Sequence, residues 1–138
     1  MVRQTSRYGI GVTVDLPYER AVERTREELA NEGFGVLTEI DVAATLKKKL
    51  DVDFRPYLIL GACNPPLAHR ALAADLDIGL LLPCNLIVYA GDEPGTSVVA
   101  AMDPVEALAL SGNASIAPVA NVVRDRIERV LAAVERGR

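Results

Sequence analysis

The chain contains no tryptophan, and aromatic residues make up only 4% of it. Its core is therefore aliphatic, built from Val, Leu, Ile and Ala. It has two cysteines, Cys63 and Cys84, and one histidine, His69. No C-x-x-C occurs, and no Ser-His-Asp arrangement can be assembled around His69. No apolar run reaches the roughly 18 to 20 residues that a membrane-spanning helix needs. The N-terminal stretch MVRQTSRYGIGV lacks the apolar region of a secretory signal. A cytoplasmic location is the expectation, and there two cysteines are expected as free thiols. By the same reasoning the sequon at Asn113 is read as chance.

Positive charge is also in short supply. Fifteen basic residues stand against 19 acidic ones, a formal net charge of -4. That balance exerts no general pull on nucleic acid or anionic membrane, so neither partner is expected. The one basic run, Lys47, Lys48 and Lys49, falls in the last turn of a predicted helix, where cations suit the helix dipole. Half of the 138 residues are hydrophobic, enough to bury a core without disulfides or metals. Residues 1–138 are read as a single domain, with no repeat, linker or low-complexity tail.

Periodicity supplies the elements. Tyr8, Ile10, Val12 and Val14 alternate with Gly9, Gly11 and Thr13, which predicts a strand with one buried face. The glycines leave its other face bare, open to close approach. Pro17 opens a helix to about Glu32, with Tyr18, Val22, Thr25 and Leu29 inward, and Gly33 closes it. Phe34 to Ile40 reads as a strand and Asp41 to Leu50 as a short helix. Tyr57 to Ala62 is a strand buried on both faces or lining a pocket. Pro66 to Ala74 is a helix. Asp77 to Pro83 stays open between a buried loop, a strand start and an oligomer contact through Leu80, Leu81 and Leu82. Leu86 to Ala90 and Thr96 to Met102 are strands joined by a turn at Gly91 to Gly95. A short helix from Pro104, a loop of small residues and a long helix from Pro118 to about Arg136 complete the chain. Its predicted stripe is Val119, Val122, Ile127, Val130, Leu131 and Val134. This order predicts a two-layer α+β architecture, a mostly antiparallel sheet with two long helices.

The reactive side chains collect between Phe54 and Asn85. Cys63 ends a buried strand where a helix begins, a position that favours a thiolate. His69 follows in that helix, and Cys84 precedes the next strand. Three readings of the cluster stand. Cys63, His69 and Cys84 bind a soft metal, although the C-x5-H-x14-C spacing matches no tight signature and a fourth ligand is missing. Alternatively, the cysteines are a redox pair or one is a nucleophile. Or they are packing residues, with Asn64 a helix cap and His69 a partly exposed helix residue. The paired carboxylates (Asp51 and Asp53, Asp75 and Asp77, Asp92 and Glu93) all fit turn chemistry.

The segments GFGVLTEIDVAATLKKKLDVDFRPYLILGACNPPLAHRAL (Gly33 to Leu72) and IGLLLPCNLIVYA (Ile78 to Ala90) closely resemble the bacterial and archaeal family called domain of unknown function 302. The pattern G-A-C-N-P-x-x-A-H followed by L-L-P-C-N is long and specific. The resemblance implies a TATA-box-binding-protein-like fold, with a curved antiparallel sheet and helices on one face, and a homodimer. It does not imply DNA binding, because that fold serves many functions. The expectation is a homodimeric binding or accessory protein. Its mainly apolar groove, under the long C-terminal helix, would take a small apolar ligand and draw its few polar atoms from Cys63, Asn64, His69, Cys84 and Asn85. A thiol-redox or metal-binding protein using Cys63, His69 and Cys84, and a purely structural dimer, are the alternatives.

Overall fold

Alternating apolar residues put the centre of a sheet at β2 (Gly9–Val14), β6 (Ser97–Met102), β5 (Cys84–Ala90) and β4 (Tyr57–Cys63). The computed structural model describes residues 1–137. Among them the sheet has six strands in the order β1-β2-β6-β5-β4-β3, with β1 at Arg3–Ser6 and β3 at Gly35–Asp41. Every neighbouring pair is antiparallel. The architecture is the expected α+β one. β1 has no counterpart in the sequence expectation, because RQTS carries no apolar alternation. It forms the outer half of a tight hairpin on β2 and lies largely exposed.

One face of the sheet is covered by helices. α1 (Tyr18–Asn31) and α5 (Ala117–Arg136) pack against each other and against the strands. Leu29 of α1 and Ile127, Val130 and Val134 of α5 join Val12, Leu60, Leu86, Val88 and Val99 in one core. Each such side chain, fully buried, contributes roughly 1.5 to 3 kcal/mol. On α5 the buried stripe takes Val123 instead of the expected Val122, since 119, 123, 127, 130 and 134 follow the helical repeat and 122 falls off it. α2 (Val42–Leu50) forms as expected, but none of its residues is buried. Its Val42, Leu46 and Leu50 spacing makes a helix without giving it a core.

The ends of α1 and α3 (Pro65–Ala74) are fixed by their caps. Gly33 has φ +81° and closes α1 by donating its N–H to the Ala30 carbonyl at 3.1 Å. The next N–H, of Phe34, donates to the Leu29 carbonyl at 2.9 Å, and Phe34 and Leu29 are both buried. This is the left-handed closure that glycine favours. Asn64 caps α3, and Pro65 occupies its first position, where a missing N–H costs nothing. The undecided stretch after α3 forms a 3-10 turn, Leu76–Leu81, and a second one, Ala109–Ser111, follows α4 (Pro104–Leu108). The Asn113 side-chain amide donates to the Ala74 carbonyl at 3.4 Å and ties the two regions together.

Candidate functional site

The site region is assembled where β4 runs out into α3 beside the start of β5. In the register of β4 and β5, Ala62 lies opposite Cys84 and Gly61 opposite Asn85. Strand alternation sends Ala62, Cys84, Leu86 and Val88 toward the helices and Gly61, Asn85 and Ile87 to the uncovered face, and Cys63 ends β4 at the turn into α3. Asn64 is buried between helix ends. Its Oδ1 accepts the Leu67 N–H at 3.4 Å, and its Nδ2 donates to the Glu32 carbonyl at 3.5 Å. The same carbonyl accepts from the Arg126 guanidinium at 3.3 Å, which brings α5 into the junction.

Beside this junction lies an open cavity of about 300 Å³. Phe34 borders it from the end of α1, Leu67 and Leu72 from α3, Leu82 from the following loop, and Val119 and Val123 from α5. Cys63, Asn64 and Cys84 also border it. The other two residues of the predicted cluster lie elsewhere. His69 is exposed, because Leu67 and Ala71 turn inward on α3 and a residue midway between them must turn out. Asn85 borders a second cavity on the uncovered face of the sheet. Among the described residues no three His, Cys, Asp or Glu side chains gather as a metal ion requires. Cys63, His69 and Cys84 are thus not brought together within this chain.

The profile of the family described as "Domain of unknown function DUF302" matches residues 10–134. The chain belongs to the DUF302 family. A crystal structure of an uncharacterized conserved DUF302 protein from Bacillus stearothermophilus superposes with a TM-score of 0.84 at 32% identity. The match covers 93% of this chain and 98% of the other. No curated protein matches the chain.

In this DUF302 chain both cysteines are free, Cys84 buried and Cys63 half-buried. Burial, and then the neighbouring Cys63, push the Cys84 thiol up to about 11. At neutral pH Cys84 is a protonated, apolar-sheltered thiol, the opposite of an activated nucleophile. Its chemistry is that of a small apolar wall residue. Asn64 is likewise committed to its two backbone partners. What the arrangement offers is a concave apolar surface with very few polar groups.

Apart from Asn85, sequence reasoning missed the residues around the second cavity, which has a volume of about 640 Å³. Tyr57 and Tyr89 face each other across β4 and β5, with ring centroids 5.2 Å apart and planes within 4°. Phe54 leans on Tyr57 at 6.1 Å, and the Arg55 guanidinium lies 5.9 Å from the Tyr89 ring centre. The signal available in the sequence was the bare glycine face of β2, which borders the same open surface. No helix among the described residues is long and apolar enough to cross a membrane.

Proposed function

We propose that this protein is a cytoplasmic binding module, a single domain that takes a small apolar ligand and works as a homodimer. The observation that carries the reading is the cavity of about 300 Å³ walled by Leu67, Leu72, Leu82, Val119 and Val123. Pockets of this size and lining hold small organic molecules, with few polar contacts to orient them. No reaction is proposed, since no nucleophile–base pair is assembled at the cavity among the described residues and burial pushes the Cys84 thiol up.

Homodimerisation draws its support from surface leucines. Leu76 and Leu80 are each 87% exposed and Leu110 is 79% exposed, on two 3-10 turns whose flanking segments are tied by the bond from Asn113 to the end of α3 at Ala74. Large apolar side chains standing free on adjacent turns are typical of a contact surface. Gly79 and Leu82, from the same stretch, border the cavity, so a partner seated there would also shield its mouth.

The test is titration of the purified protein with the neutral fluorophore 1-aminoanthracene. Saturable binding is expected in the native chain, and Ala68→Phe, which fills the cavity from α3, should abolish it. A native fold that binds no fluorophore, or Ala68→Phe binding as well as the parent, would overturn the reading.

A further inference from the structure

The uncovered face of the sheet carries a second, chemically different arrangement. The strand registers place one row of residues straight across it: Arg3 opposite Gly11, Gly11 opposite Ala100, Ala100 opposite Ile87, Ile87 opposite Ile59 and Ile59 opposite Ile40. A cation stands at one end, the smallest side chains come next, and three isoleucines follow. Tyr89 and Tyr57 border the row on one side, and Met102 and Asn85 on the other. Gly11 cannot be enlarged, because a Cβ there would lie 2.8 Å from the Ala100 methyl. The small residues next to Arg3 make this part of the row its lowest.

The charge on the floor of this face is one-sided, and at its rim beside Tyr89 the Arg55 guanidinium is paired with Asp92 at 3.1 Å. Among the described residues Arg3 is the sole charged one lining the cavity of about 640 Å³. Among the described residues no Asp or Glu occupies an uncovered-face position in a strand. Glu39 and Asp41 of β3 pair with Leu60 and Leu58 and so turn toward the helices, and Glu39 binds Arg26 of α1 at 2.7 Å. In a chain with more acids than bases, this face is the exception. The other polar residues lining that cavity are uncharged: Gln4 and Asn85 carry amides, and Thr5, Ser6, Tyr8, Tyr57 and Tyr89 carry hydroxyls. Burial and the neighbouring Tyr89 hold the Tyr57 hydroxyl in its protonated, donating form above its ordinary range.

We propose that this row is a binding trough for an amphipathic monocarboxylate, its carboxylate on Arg3 and its apolar body over Gly11, Ala100 and Ile87. Adjacent strands lie about 4.8 Å apart, so Arg3 and Ile87 are separated by roughly 14 Å, the reach of a medium-length acyl or aryl chain. A guanidinium pairs a carboxylate through two parallel hydrogen bonds. Charge complementarity favours this occupant over a second copy of the chain. Two such faces packed together would bury Arg3 against strands that carry no carboxylate to pair it, the rim carboxylate of Asp92 being already held by Arg55, which is costly. The trough lies across the sheet from the apolar cavity and stands independently of it.

The test is titration of the native chain with octanoate and with octan-1-ol, followed by amide NMR shifts. Octanoate should shift Arg3, Gly11, Ala100 and Ile87 and leave Leu67 and Val123 unchanged, and the alcohol should bind this face at least about ten-fold more weakly. Arg3→Gln, at an exposed position that does not threaten folding, should weaken octanoate by about the same factor. Arg7→Gln, in the neighbouring turn, should not. Equal binding of acid and alcohol, unchanged affinity in Arg3→Gln, or shifts confined to Leu67 and Val123 would each overturn the proposal. So would a dimer in which Ala100 and Ile87 are protected and octanoate has no effect.

Discussion

Asn64 and Glu32, half a sheet apart in sequence, are joined by a hydrogen bond from the Asn64 side-chain amide to the Glu32 carbonyl at 3.5 Å. Through it one residue caps the start of α3 and holds the end of α1. Arg126 shares the same carbonyl at 3.3 Å, and Arg129 adds an ion pair to the Glu32 carboxylate at 2.9 Å. Three helices therefore meet at the rim of the apolar cavity.

Removing this joint has a defined cost. Asn64→Ala deletes the cap and leaves a partly buried carbonyl with fewer donors, so about 1 to 2 kcal/mol of stability should be lost. Asn64→Asp keeps the cap acceptor and loses the donor, so it should fall between parent and alanine. Urea unfolding of the three proteins gives the order directly. Equal midpoints for Asn64→Ala and the parent would show that the joint contributes nothing.

Cys84 sets a pH dependence. Its thiol is neutral in the fold up to about pH 11, against an unperturbed value of 9.0. In the unfolded chain it ionises first, so its contribution is complete below pH 9 and is lost as pH rises from there through about 11. The parent should lose stability over that window faster than Cys84→Ala. Alkylation of Cys84 by iodoacetamide at pH 8 should be slow in the native protein and rapid in urea. Identical alkaline slopes for parent and variant would contradict this account.

The leucine surface gives a third prediction. Leu80→Glu combined with Leu110→Glu adds charge at two sites that are already 87% and 79% exposed. Folding should be unaffected, and the mass in solution by light scattering should fall from dimer to monomer. If parent and variant have the same mass, the dimer contact lies elsewhere or is absent.

Much of this fold was legible because alternation and capping act locally. The β2 pattern, the Gly33 closure and the Asn64–Pro65 helix start all follow from a few adjacent residues. β1 was not legible, because an exposed edge strand has no buried side to record in its sequence. α2 shows the reverse case: Val42, Leu46 and Leu50 have helical spacing but meet no core. The site was legible only in part. Cys63, Asn64 and Cys84 do border one cavity, because β4 pairs with β5 and their ends coincide. His69 was separable by helical phase, given Leu67 and Ala71. Asn85 and the Tyr57–Tyr89 stack depended on a pairing register between strands more than twenty residues apart, which local sequence does not encode.

The pairing of β5 with both β4 and β6 has a consequence for how the protein can change over time. Cys84, Leu86 and Val88 look into the helical layer, while Asn85, Ile87 and Tyr89 look out over the bare face. Inserting or deleting one residue within this strand would exchange the two sets at a stroke, driving an amide and a tyrosine into the oil and leaving leucine and valine in water. Length is thus frozen in β5, and variation in length must be sought at its ends, above all in the exposed turn from Asp92 to Gly95.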